Sequence, residues 1–295
     1  MRIPKYVMMS LMVVLFVAQQ SVAAPVVLPD PTVYAHRYDD FYSYSAKLLT
    51  AWGFTGFDGP AGVGGLDLVI GTHAGGANNN PVSGGFKFPD PMTTPSGNGA
   101  GSSTFSGTWG LSGTFAPVMV DDLVSYLHTA FGSNVNTPVF DFDMSQSQDK
   151  PNLYVNGVVK LLDASNNVVA YWSFDNVADH VFDPASYVLS PATITATNPA
   201  APFNTVTVDN NKGSGKNDFI VYAPGMDLSL YTGKGLRFSA FFEMNSLTGG
   251  GEDLFLTGSF QPKPPVTTPE PGTMLLMGMG AVGAAFMRKR AKRSS

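Results

Sequence analysis

Both long apolar runs of this chain lie at its ends, each beside a basic cluster, so the residues between them must supply whatever core the protein folds around. The first run, Tyr6 to Ala18, follows Met1-Arg2-Ile3-Pro4-Lys5 and is broken only by Ser10. Gln19-Gln20-Ser21 and then Val22-Ala23-Ala24 close it. A basic start, an apolar stretch of this size and small residues at the exit describe a secretory signal peptide. Ser21 and Ala23 fit the two small-residue positions, which predicts residues 1–23 as the signal, cut between Ala23 and Ala24.

The second run, Gly272 to Met287, carries no charge. A Pro-rich linker over 261–268 and the triplet Pro269-Glu270-Pro271 precede it, and Arg288, Lys289, Arg290, Lys292 and Arg293 follow. As a helix it spans about 24 Å, short of the roughly 30 Å hydrocarbon core. Long basic side chains and local thinning absorb that mismatch. The sequence therefore predicts a transmembrane helix over 272–287, a basic tail over 288–295 on the cytoplasmic side and the body outside. Gly278-Met279-Gly280-Ala281-Val282-Gly283 spells a dinucleotide fingerprint, but the required preceding strand and following soluble helix are missing.

This tripartite tail behind a signal peptide resembles the PEP-CTERM class of exported bacterial proteins, with residues 269–295 as the sorting signal. The resemblance implies an exosortase as partner, a membrane transpeptidase that cuts near the triplet and releases the basic tail. It implies an inner-membrane-anchored precursor facing the periplasm of an exopolysaccharide-producing Gram-negative cell. It further implies a final place at the cell surface or in the extracellular matrix, associated with exopolysaccharide and biofilm. Physically, two prolines hold the chain extended at the membrane edge and present the charge of Glu270. Asn211 to Phe260 resembles the last strands of many ectodomains of this class, through GSGKNDF, APGMDL and EDLFLTGSF. That match implies no chemical activity.

Between the signals, residues 24–268 hold 10 of the 17 Lys and Arg but 21 of the 22 Asp and Glu, a net charge of −11. Such a surface repels nucleic acid and other polyanions. The chain has no Cys, which excludes a disulfide scaffold, thiolate metal sites and a cysteine nucleophile. Residues 53–113 are rich in Gly, Asn, Ser, Thr and Pro and read as long loops with short strand fragments. One helix follows, with Asp121 as N-cap, Leu123, Tyr126, Leu127, Ala130 and Phe131 on one face, and Gly132 ending it. Val139-Phe140-Asp141-Phe142-Asp143 alternates as a strand. Val158–Leu162 and Val168–Phe174 flank a turn and read as a hairpin. Strands over 219–222, 236–243 and 253–260 complete a mainly β chain: a single jelly-roll-like β-sandwich over 24–260 with one short helix.

The screen for chemistry is short. Asp141 and Asp143 share one strand face, about 7 Å apart. A glycosidase pair must flank the scissile bond, which one strand cannot arrange. The pair reads first as a solvated face opposite Phe140 and Phe142, and next as an irregular Ca²⁺ site with Asp149. Asp141 to Asn152 lacks the Gly and Glu of an EF-hand loop. His36, His73, His128 and His180 show no metal-ligand spacing. Gly213-Ser214-Gly215-Lys216 lacks the remainder of a phosphate loop. Trp52 and Trp109, beside glycines, are candidate sugar-stacking platforms, whereas Trp172 alternates into the core. Three function classes follow. They are a non-enzymatic surface or matrix protein without a cofactor, a carbohydrate-binding module using those tryptophans and Ca²⁺, and a secreted polysaccharide hydrolase or lyase.

Overall fold

Strand alternation and turn chemistry organise this chain into sheets. The computed structural model describes residues 24–59, 66–73, 77–95, 103–146, 152–210, 215–248 and 251–263. The expected signal peptide, Asp149 and the whole sorting signal, with the transmembrane helix expected in it, lie outside the described residues. Among the described residues no helix is long and apolar enough to cross a membrane.

In chain order the first elements are β1 (Val26–Val27), α1 (Pro31–Tyr34), β2 (His36–Tyr38), β3 (Phe41–Ser45) and α2 (Ala46–Ala51). Then come β4 (Leu68–Thr72), β5 (Met92–Thr93), β6 (Ser103–Trp109), β7 (Val118–Met119), α3 (Val120–Phe131) and β8 (Val139–Asp143). The second half holds β9 (Leu153–Leu162), β10 (Val168–Phe174), β11 (Val188–Ser190), β12 (Thr193–Thr197) and β13 (Thr205–Asp209). Finally β14 (Phe219–Tyr222), β15 (Arg237–Leu247), β16 (Asp253–Thr257) and β17 (Phe260–Gln261) close the body.

Two sheets hold most of these strands. One runs β2-β3-β14-β8-β16-β4-β5, and the other runs β10-β9-β15-β6 with β11 beside β9 and β7 beside β15. The chain passes repeatedly between them: β14 and β16 flank β8 in the first sheet, while β15, between them in sequence, is central to the second. This is the mainly β sandwich that the strand pattern predicts. Phe140 and Phe142 of β8 meet Phe242 of β15 across the interface at 5.3 and 5.5 Å between ring centroids. Alternate residues Phe238, Ala240, Phe242 and Met244 of β15 fill the same interior. At Gly157, the β9 residue opposite Phe242, a Cβ would stand 2.6 Å from the Phe241 carbonyl oxygen and the Phe242 ring. A side chain there would push β9 and β15 apart.

A third layer lies on the far side of the seven-stranded sheet. Leu28, Leu49 and Phe57 pack on Tyr44, Val139, Ile220, Tyr222 and Phe260 in a second apolar cluster. The stretches 24–35 and 46–59, on either side of β2 and β3, thus roof the sheet face that alternation alone assigns to water.

The expectation of one short helix is corrected, because α1 and α2 precede α3. Asp30 caps α1 by accepting from the Thr32 N–H, and Pro31 starts its first turn. Ser45 caps α2 by accepting from the Leu48 N–H at 3.2 Å. Four and six residues are too short to show helical periodicity. For α3 the five expected apolar positions are buried and Gly132, at φ +116°, ends the helix. Its N-cap is Met119 rather than Asp121, whose carboxylate instead accepts from the Gly233 N–H at 2.7 Å. The 158–174 hairpin forms as β9 and β10, and Trp172 is buried. Within 53–113 the sequence reading missed β6, seven residues pairing with β15. Its Ser, Thr and Gly content hides the alternation of Phe105 and Trp109 into the core.

Candidate functional site

β8 carries the two carboxylates that the sequence singles out, and neither is solvated. Asp141 is 3% exposed and Asp143 is 1% exposed, because residues 24–59 cover that face. The expected solvent-facing pair is therefore corrected to a buried one. A polysaccharide chain has no access to it there, which removes the only carboxylate basis of the hydrolase or lyase expectation.

The two side chains also part company. Asp143 accepts from the N–H of Gly215, whose φ of +93° turns that amide toward the carboxylate. Gly215 of the stretch that resembles part of a phosphate loop thus gives its amide to an internal carboxylate. Burial pushes the Asp143 carboxyl up to about 7, with the Gly215 bond pulling the other way and the Asp218 and Asp253 charges adding to the rise. Asp141 is held well above the usual carboxylate range by burial and by the charges of Asp67, Asp143 and Asp218. The expected Ca²⁺ set of Asp141, Asp143 and Asp149 is not assembled as such: Asp143 is engaged with Gly215, and Asp149 lies outside the described residues.

Sequence reasoning missed the groups that surround Asp143. Asp218, preceding β14, forms an ion pair with Lys47 of α2 at 2.6 Å. Its second oxygen accepts from the Met144 N–H at 2.9 Å. Glu252 accepts from the Ser145 N–H at 2.7 Å and from the Gln146 side-chain amide. Burial pushes Glu252 up to about 8. A carboxyl raised on folding keeps its proton in the native state after the unfolded chain has lost it. Between about pH 4.5 and 8, stability therefore falls as pH rises, and the contribution is fully present below that window. In EDTA, unfolding in urea at pH 5 and pH 8.5 should show Glu252→Gln losing about 2 kcal/mol less over that interval than the parent. Equal losses in both proteins would contradict the assignment.

The tryptophan pair is likewise corrected. Trp109 is 1% exposed, donates from Nε1 to the Pro89 carbonyl at 3.2 Å and packs on Phe88 and Phe238, so it cannot stack on a sugar. Trp52 is half-buried and lies 6.1 Å from the Tyr34 ring. The glycines beside each tryptophan serve backbone turns, Gly53 at φ +90° and Gly110 at φ +101°.

Two surface features have no counterpart in the sequence reading. Asp39, Asp40 and His180 each place one ligand-type atom within 4.8 Å of the others. Their polar atoms are largely engaged internally. Asp39 accepts from the His180 N–H at 2.9 Å, Asp40 accepts from the Ser173 N–H at 2.9 Å, and the His180 ring meets Asp40. The Asp40 contact raises the His180 pKa. Together these bonds clamp the loop after β10 to the turn between β2 and β3. Nearby, a cleft of about 270 Å³ opens between β2, β3 and β11. Tyr34, Tyr38, Phe174, Leu189 and Ile194 give it an apolar lining, with His36 and Ser43 as polar points.

Comparison with known proteins gives two matches. A family model described as "Domain of unknown function (DUF8239)" matches residues 26–246, from the start of β1 to one residue short of the end of β15. A second, the PEP-CTERM protein-sorting motif, matches residues 267–290 and so takes in Pro269-Glu270-Pro271 and Arg288 to Arg290. No curated protein and no solved structure matches the chain.

Proposed function

We propose, for a chain that belongs to the family Domain of unknown function (DUF8239) and is a PEP-CTERM protein, that the β body is a non-enzymatic passenger delivered to the cell surface or extracellular matrix. The sorting motif makes it an exported, exosortase-sorted protein made as a membrane-anchored precursor. That motif is the observation that carries the reading. The passenger faces the periplasm before processing and then associates with exopolysaccharide.

Three features support a structural rather than catalytic passenger. The carboxylates of β8 are interior, the cleft beside β2 and β11 is lined mainly by apolar side chains, and Trp109 belongs to the core. Glycan stacking on a Trp52 and Trp109 pair is therefore no part of this reading. The body's charge of −11 makes any contact with an anionic matrix polymer depend on bridging cations.

Replacing Pro269-Glu270-Pro271 by three alanines tests the sorting step. It removes the two helix-breaking residues and the presented charge, so the 272–287 helix can extend into the linker. The expected outcome is an uncleaved precursor accumulating in the membrane fraction, with the body's thermal unfolding unchanged. Normal release of the triple-alanine variant would remove the triplet from the mechanism.

A further inference from the structure

Asp141 has an interior environment of its own. Beneath the N-terminal roof lies a cavity of about 100 Å³, lined on its polar side by Asp67, Asp141, Asn217, Thr257 and Ser259. Those residues come from four stretches of chain: just before β4, within β8, just before β14, and the end of β16 with the turn after it. Among the described lining residues there is no Lys, Arg or His to balance the two carboxylates. Lys47, the cation among the neighbouring acidic groups, is already paired with Asp218.

Two polar atoms of its lining residues have no hydrogen-bond partner in the structure. Oδ1 of Asp141 and Oδ1 of Asn217 are both fully buried and make no hydrogen bond, although Asn217 is only 5% exposed and Asp141 3%. A buried acceptor without a donor costs about 1–3 kcal/mol, and more when charged. The Asn217 amide oxygen can only accept, and so can the Asp141 oxygen when that carboxyl is ionised. With Asp141 ionised, a group that satisfies both must be a donor or a cation.

From this geometry we infer that the cavity is a site for one calcium ion, held by Asp67, Asp141 and the Asn217 side-chain oxygen with help from the Thr257 and Ser259 hydroxyls. The donor set is oxygen throughout, which suits a hard cation and gives no nitrogen or sulfur to select a transition metal. Two carboxylates match a divalent charge. The mixed set of carboxylate, amide and hydroxyl oxygens fits the flexible coordination of Ca²⁺ better than the strict octahedron of Mg²⁺. The volume leaves room for water to complete the shell. This site differs from the Asp141, Asp143 and Asp149 set expected from sequence: it keeps Asp141 and draws its other ligands from outside that strand. Its consequence is structural. The ion would tie β8, β16 and the start of β14 to the segment before β4, under the layer that flanks β2 and β3 in the chain.

The competing occupant is a proton shared by Asp67 and Asp141, and the test separates the two. The full chain, extracted in detergent and stripped with EDTA, is dialysed against about 10 mM CaCl₂ or MgCl₂, then assayed for bound metal and for Tm. The expected result is one Ca²⁺ per chain and a Tm higher by about 4–8 °C in calcium, with a much smaller rise in magnesium. Asp141→Asn, which imitates the protonated carboxyl, should unfold cooperatively in EDTA and lose both the bound calcium and the Tm rise. If that variant fails to fold, Tb³⁺ alone reports on the parent protein. The Tyr126 ring sits close enough to Asp67 to feel its charge and should sensitise Tb³⁺ luminescence that Ca²⁺ displaces. No bound calcium and no Tm rise in the parent would overturn the proposal in favour of the shared proton. So would an equal response to magnesium, calcium retained by Asp141→Asn, or Tb³⁺ luminescence that Ca²⁺ leaves unchanged.

Discussion

Replacing Phe242 by alanine is expected to destabilise the body by about 3–5 kcal/mol, measured by urea unfolding. The size of the effect follows from position. Phe242 is the β15 residue that reaches Phe140 and Phe142 of β8, so it joins the two sheets where both are central. Its ring also fills the space above Gly157, where β9 and β15 pair across a residue without a side chain. Alanine leaves a cavity between two aromatic rings that are themselves fixed in strands, and such a site collapses poorly. Phe242→Leu, which keeps much of the volume, should cost less than half as much. A loss under about 1 kcal/mol for Phe242→Ala would show that the sheets do not depend on this contact.

Lys47→Met should cost about 3 kcal/mol at pH 7.5. Lys47 neutralises Asp218, which is interior and stands among Asp143 and Glu252. Removing the ammonium leaves an uncompensated buried carboxylate, and methionine keeps the packing of the lysine stem. Asp218 already titrates above the usual carboxylate range because of burial, with Lys47 pulling it down. Without Lys47 it should rise further and take up a proton. The penalty should therefore shrink as pH falls toward 5, since a protonated Asp218 needs no partner. A double variant, Lys47→Met with Asp218→Asn, should recover most of the loss. Urea unfolding at two pH values checks all three statements. A penalty that is independent of pH would assign the effect to packing instead.

These two effects also mark how far the sequence could be read. Strands β8, β9, β10, β14, β15 and β16 were legible, because each alternates or carries β-branched and aromatic residues between turn signals. The helical face of α3 was legible for the same kind of reason, a period long enough to count. Segment 24–59 was not. Its elements are short and its aromatic residues, Tyr34, Phe41, Tyr44 and Phe57, divide between two cores, so no single period emerges. That omission propagated into the site. With only two layers in view, Asp141 and Asp143 face water; with the third layer in place they are buried, and burial raises both carboxyls above the usual range.

Trp109 shows the same limit from the other side. A tryptophan beside glycines looks like an exposed platform, but β6 carries it inward beside Phe88. The partners of the buried carboxylates come from distant positions, Lys47 with Asp218 and Ser145 with Glu252, and sequence spacing holds no record of them. The sorting tail is the opposite case. Its three parts are contiguous in the chain, so the motif was readable from residues 269–293 alone.

The central claim, exosortase processing of an exported body, is tested most directly by mass spectrometry of the mature protein's C-terminus in hosts with and without the exosortase. The account predicts a chain ending close to Pro269-Glu270-Pro271 in the competent host, and one retaining Arg288 to Ser295 in the deficient host. A mature protein that keeps Arg288 to Ser295 in the competent host would contradict it.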